Sequence, residues 1–230
     1  MKEVLQDSVY FGVLISLSSY IIGLWIRRKT KLSYMNPLLI AIIITICFLL
    51  ISGVSYKSYS STSSWISYLL TPATICLAVP LYQQIELLKK NSKAILFGIL
   101  SGVLSSLVSI LLLALLFSFD HNTYVTFLPK SITTAIGMGI SEELGGYVSI
   151  SVVIIIITGV LGNIFAEGIL KLLRIEEPIA KGIAIGCSSH AVGTAKAMEM
   201  GAIEGAISGL SIVVCGILTV IGASIFALFL

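Results

Sequence analysis

The sequence predicts an all-α, polytopic membrane protein, a single integral membrane domain spanning residues 1–230 with about six to eight transmembrane helices. Three observations carry this. Hydrophobic residues make up 57% of the chain and charged residues 11%, against about 25% charged in a typical soluble domain, so a soluble fold of this length could not hydrate its surface. The apolar runs are continuous and long, as helical spans of about 20 residues require, and do not alternate over about 10 as barrel strands do. Basic residues collect at the ends of those runs; with a net charge of only +3 they report membrane orientation and exclude a nucleic-acid surface.

Taken in order, the spans fall near 8–26, 36–53, 64–88, 94–117, 148–170 and 204–229, which places 36–117 in a first half and 128–230 in a second. The opening run has its basic cluster after it and lacks a small-residue cleavage site, so it reads as a span and not as a cleavable signal. Arg27, Arg28, Lys29 and Lys31 follow the first span, and Lys89, Lys90 and Lys93 follow the third. The positive-inside rule therefore puts those two connectors in the cytoplasm and the N-terminus outside. Two further segments, 128–146 and 178–199, are Gly-rich and polar, and each is opened by a proline. If 128–146 crosses fully, Lys171 and Arg174 land outside, against the rule. If it dips in and returns, they land inside. The charge bias favours broken or re-entrant elements.

An internal repeat points to the same region. A shift of 57 residues lays 72–116 on 129–173 without a gap, matching Pro72 to Pro129, Ala78 to Ala135, and Gly102-Val103-Leu104 to Gly159-Val160-Leu161. The spacing from Pro129 to Ala135-Ile136-Gly137 recurs from Pro178 to Ala184-Ile185-Gly186. Secondary transporters are commonly built from such repeats, with discontinuous helices meeting near the midplane.

Charged groups at membrane depth are unfavourable, yet the second half keeps Lys130, Glu142, Glu143, Lys181, His190 and Lys196 in or beside these segments. Pro129 to Gly146 reads as a half-helix whose start aims free N–H groups at an anion, with Lys130, Ser131, Thr133 and Thr134 beside them. Gly186 to Thr194 is the densest polar cluster: Ser188, Ser189, His190 and Thr194, flanked by glycines, suit an unwound segment that holds a small polar solute. His190 can titrate near neutral pH and link protons to transport. Lys196 is a candidate counter-ion for a carboxylate; six residues from His190, it shares a site with it only if the helix is broken. Asn163 and Glu167, spaced i, i+4, join Glu142 and Glu143 as candidate proton or supporting groups. Gly201, Gly205 and Gly209 have the spacing of a close helix-packing face, suited to internal packing or to a homo-oligomer contact.

Enzyme readings do poorly. The two histidines form no H-E-x-x-H, Gly186 to His190 is not G-x-S-x-G, and no P-loop occurs. Neither a cofactor nor a metal is expected. The four cysteines lie in apolar stretches and read as small hydrophobes.

Several blocks carry a likeness to a known family. They are Pro72 with Leu77-Ala78-Val79-Pro80-Leu81-Tyr82, then Leu128 to Ile136, Ser141-Glu142-Glu143-Leu144-Gly145-Gly146, Thr158 to Gly162, and Gly186 to Lys196. From about residue 36 the chain resembles the LrgB/CidB family of antiholin-like membrane proteins, relatives of the plastidial glycolate/glycerate translocator. The resemblance implies a bacterial cytoplasmic-membrane protein, often acting with a smaller LrgA/CidA-type holin-like partner. It implies one of two activities: transport of a small monocarboxylate such as pyruvate, or control of murein hydrolase activity and autolysis without transport. From the residues, the expectation is that Pro129 and Pro178 interrupt their helices within the lipid, so that the two polar segments share one cavity. A straight crossing by either segment would contradict it.

Overall fold

The computed structural model describes Ser8, Tyr10–Thr30, Pro37–Leu69, Pro72, Ile75, Cys76 and Ala78–Leu230; Lys31 and Leu77, singled out above, lie outside the described residues. The described residues form helices and no strand. They divide into two compact units, Met1–Cys76 and Leu77–Leu230, a boundary upstream of the halves drawn from sequence.

In the first unit, α1 (Phe11–Thr30) packs on α2 (Pro37–Ser52) and α3 (Tyr56–Tyr68). Small and hydroxylated residues mediate the contacts. The Gly12 N–H donates to Thr62 Oγ1 at 2.9 Å, and Thr45 Oγ1 donates to Ser19 at 3.2 Å. The expected continuous span over 64–88 is not observed. Instead α3 ends at Tyr68 with Leu69 in a turn, Pro72, Ile75 and Cys76 are again helical, and α4 (Ala78–Gln83) is parted from α5 (Ile85–Lys90) by a turn at Gln84. The Ser-rich 56–68 run is too polar for a lipid-facing span, and prolines at 72 and 80 remove backbone donors that one continuous helix would need.

The second unit holds α6 (Ser92–Leu116), α7 (His121–Phe127), α8 (Thr134–Glu143), α9 (Val148–Leu172), α10 (Pro178–Met200) and α11 (Ala202–Phe226). Among the described residues four helices are long and apolar enough to cross a membrane, namely α1, α6, α9 and α11 (the last carried on to Phe229), and α2 is a shorter apolar helix. Their outer faces are built for lipid: Leu116, Leu172 and Leu228 are exposed. The 57-residue shift lays α6 on 149–173, within one residue of α9 at each end. The repeated Gly102 and Gly159 do equivalent work, each letting its helix close on α10. A Cβ at Gly102 would lie 3.0 Å from Cys187 Cβ, and one at Gly159 would lie 2.6 Å from His190 Cε1.

Between these long helices the chain makes two re-entrant hairpins. In the first, α7 runs inward, the chain turns through 128–133, and α8 runs back. The Tyr147 N–H donates to Thr126 Oγ1 at 2.8 Å, and Ser151 Oγ donates to the Thr126 carbonyl at 2.8 Å. The segment therefore leaves at the level where it entered. Asp120 opens it; the Thr123 hydroxyl bonded to its carboxylate holds the Asp120 carboxyl below its usual range. The helix start differs from the expectation. Pro129 lies in the turn and α8 begins at Thr134 with Thr133 as its N-cap, because Lys130 and Ile132 direct their N–H groups to the Phe127 and Pro129 carbonyls.

The second hairpin is α10 itself. Pro178 opens it at the first helical position, as its missing N–H allows. The interruption comes at His190, whose φ of 41° and ψ of −138° are not helical. Residues 186 and 194 would stand about 12 Å apart along a straight helix, yet both meet Ser208. A Cβ at Gly186 would lie 2.7 Å from the Ser208 carbonyl oxygen, and Thr194 Oγ1 is 2.7 Å from Ser208 Oγ. Ile185 and Ala197 share one buried cluster. At the base, Gly182 abuts Glu204 and Ile207 while Met198 abuts Gly205, so both ends of α10 lie against the start of α11. Gly205 thus serves internal packing. Gly201 stands at the α10–α11 junction and not on a helix face.

Candidate functional site

The two hairpins enter from opposite ends of the bundle and reach one cavity of about 960 Å³. Its walls are α6 and the first arm of α10, and it extends from Asn91 and Glu177, at the starts of those helices, to Ser109 and Lys130. Lys130 and Ser131 come from the turn of the first hairpin, and Cys187 and Ser188 from just before the fold of the second. The tips are close along α6: Gly102 faces Cys187 and Ser106 bonds Lys130, four residues or about 6 Å of rise apart. Past Lys130 the chain is packed shut, with Tyr124, Val125, Leu128 and Ile132 all buried.

Among the described residues, Lys130 is the only cation lining this cavity. Its Nζ donates to Ser131 Oγ at 2.8 Å and to Ser106 Oγ at 3.3 Å. Among the described residues the ion pairs are both made by Lys196, so Lys130 has hydroxyl partners and no carboxylate. A half-buried ammonium without a counter-charge is poised for an anion, because charge-assisted hydrogen bonds are shorter and stronger than neutral ones. Hydroxyls surround it: Ser101, Ser105, Ser106 and Ser109 face the cavity from α6, and Ser188 from α10. The sequence reading, focused on the second half, missed this α6 stripe. The signal was present in Ser101, Ser105 and Ser109 at i, i+4, i+8 within an otherwise apolar span.

Of the residues singled out from sequence, Lys130, Ser131 and Ser188 come together in the cavity. Ser189 touches it indirectly, its hydroxyl 2.9 Å from that of Ser188. Thr133 and Thr134, half-buried at the start of α8, do not line it. His190 is buried and turns away; its Nε2 lies 3.0 Å from the Ile155 carbonyl oxygen. Since a carbonyl only accepts, that nitrogen carries a proton. Thr194 Oγ1 donates to the His190 carbonyl at 2.9 Å, and Asn163 Nδ2 donates to the Val192 carbonyl at 2.7 Å. These three residues secure the fold of α10, where a broken helix would otherwise leave backbone groups without partners. Lys196 pairs with Glu167 at 2.8 Å and with Glu199 at 3.3 Å, away from the cavity. Glu142 and Glu143 are exposed at the outer end of α8.

Residues 16–229 match the LrgB-like family. The chain belongs to that family. Among LrgB-like relatives, the holin-like protein CidB of Staphylococcus epidermidis is 37% identical over 219 residues, covering 95% of each chain. The antiholin-like protein LrgB of Bacillus subtilis (strain 168) is 36% identical over 220 residues, again covering 95% of each. CidB of Staphylococcus aureus is 37% identical over 207 residues, 90% of each chain. No solved structure matches this LrgB-like chain.

Proposed function

We propose that this protein moves a small monocarboxylate, of the size of pyruvate or glycolate, across the bacterial cytoplasmic membrane by opening the Lys130 cavity alternately to either side. One observation carries the reading. Two re-entrant hairpins from opposite ends of the bundle meet at a serine-lined cavity whose deepest charge is an ammonium that, among the described residues, lacks a carboxylate partner. Discontinuous elements meeting near the midplane are how secondary transporters build a site that either face can reach. Lys130 holds the carboxylate, Ser106, Ser131 and Ser188 complete its hydrogen bonds, and the hydroxyl stripe of α6 lines the route inward.

In this reading the cavity faces the cytoplasm, since its mouth lies beside Lys89, Lys90 and Lys93. Proton linkage through His190 has less support, because its ring is directed at Ile155 and not at the cavity. A smaller holin-like membrane partner belongs to the same proposal. The second reading, an antiholin-like regulator of autolysis, draws on the relatives' names alone.

The test is uptake of radiolabelled pyruvate and glycolate into proteoliposomes, with and without the small partner. Losing one charge-assisted hydrogen bond removes about 1.5–3 kcal/mol, or roughly ten- to a hundredfold in apparent affinity. Lys130→Met should lose uptake by that factor while inserting normally. Uptake equal to wild type in Lys130→Met would refute the assignment.

A further inference from the structure

The transport reading makes no use of two thiols at the tip of the second hairpin. Cys187 borders the cavity, and its Sγ lies 3.1 Å from that of Cys215 on α11. Both cysteines are free and buried. A disulfide needs its sulfurs about 2.05 Å apart, so closure asks for a movement of about 1 Å. The two helices already touch at this level. A Cβ at Gly186 would lie 2.7 Å from Ser211 Cβ, so the backbones of α10 and α11 are in close contact one residue from Cys187.

The thiols differ in access. Cys187 borders the large cavity, and the residue opposite it on α6 is Gly102, which puts no side chain over the sulfur; a Cβ there would lie 3.2 Å from Cys187 Sγ. Cys215 is 2% exposed, does not line the large cavity, and borders a small void of about 10 Å³ that it shares with Cys187. A small oxidant in the cavity therefore meets Cys187 first, and Cys215 stands behind it as the resolving thiol.

We propose that Cys187 and Cys215 are an oxidisable pair, joined by a peroxide into a disulfide that pins the second hairpin to α11 and arrests transport. In the first step the Cys187 sulfur attacks one oxygen of hydrogen peroxide, the O–O bond breaks, and a sulfenic acid and one water result. In the second, the Cys215 sulfur displaces that hydroxyl as a second water and the S–S bond forms. Two thiols are oxidised by two electrons, and one peroxide is reduced to two waters. A dithiol reductant reverses the linkage by exchange. The arrest follows because residues 187 and 188 sit at the hairpin tip, two or three residues before the fold at His190, and a hairpin tied to α11 cannot change its packing between the two open states. This second half rests on the transport reading; the crosslink does not.

The full-length protein in proteoliposomes is treated with hydrogen peroxide, then divided between non-reducing peptide mass mapping and pyruvate uptake. Wild type should yield a 187–215 linked peptide and lose uptake roughly tenfold or more, as expected for a blocked conformational step, with recovery in dithiothreitol. Cys215→Ser and, independently, Cys187→Ala should yield no such peptide, and Cys215→Ser should keep its uptake under peroxide. Absence of the linked peptide from oxidised wild type overturns the pair. A linked peptide with undiminished uptake, or an equal loss in Cys215→Ser, overturns the arrest. If reduced wild type moves no monocarboxylate, the transport reading falls and the arrest with it, and the peptide map still decides the pair.

Discussion

At the scale of single residues, the cavity and the fold of α10 depend on different side chains, and substitutions separate them. In the transport reading Lys130 holds the solute, so it is expected to matter for uptake more than for folding. Gly159 acts on the fold. A methyl there meets the His190 ring, 2.6 Å from Cε1 and 2.8 Å from Nε2, and overpacking of this kind costs about 1–3 kcal/mol. Gly159→Ala should lower the melting temperature of the detergent-solubilised protein, whereas Gly139→Ala, where nothing lies within 4 Å of the added carbon, should not. Asn163 belongs to the same group. Asn163→Leu leaves the Val192 carbonyl without its side-chain donor and should destabilise by about 1–3 kcal/mol, read in the same melting series. Its companion in the sequence reading, Glu167, should respond differently: as the partially exposed partner of Lys196, its loss should shift the melt by no more than about 1 kcal/mol.

The informative element is α10, because hydropathy and proline position described it only in part. Pro178 at its start and glycines at 182, 186 and 193 were legible as a helix that allows close approach. The position of the fold was not. His190 takes a positive φ that non-glycine residues rarely adopt, at a cost of about 1–3 kcal/mol. What holds it there is the Ile155 carbonyl on another helix, a tertiary contact no local pattern announces. This gives a sharp expectation. In an ordinary helix, Gly is less stable than Ala by roughly 0.5–1 kcal/mol. At position 190 the order should invert: both variants lose the ring's hydrogen bond, but His190→Gly also relieves the backbone. Denaturant or thermal melts that rank His190→Ala above His190→Gly would argue for a helix that continues through this point. The first hairpin shows the complementary limit. Pro129 marked the right place, but the chain spends 129–133 on a turn before α8 begins, so the N–H groups expected to meet the anion stand at Thr134 onward, and Lys130 from the turn reaches the cavity instead. The failed 64–88 span has a plainer cause: a hydropathy average spread the apolar residues after 64 over a serine-rich stretch and two prolines.

For the molecule as a whole, the two hairpins fix the number of crossings to be expected in the second unit. Because 121–147 and 178–200 each return to the end they entered, α6, α9 and α11 are its candidate crossings, and Lys171 and Arg174 lie at the same end of the bundle as Lys89, Lys90 and Lys93. That is the arrangement the basic residues favour, and the transport reading needs it, since a cavity reached by a hairpin from each face can open to each in turn. The direct measurement is impermeant-thiol labelling of single cysteines in a background without the native four, applied to intact cells and to inverted vesicles. Exposed positions Asn122 and Tyr147 bracket the first hairpin, and Glu176 and Glu199 bracket the second. Cysteines at 122 and 147 should label together from the external face, and those at 176 and 199 together from the cytoplasmic face. A split within either pair, one member labelled from each side, would mean that the segment crosses the membrane and would contradict the shared cavity.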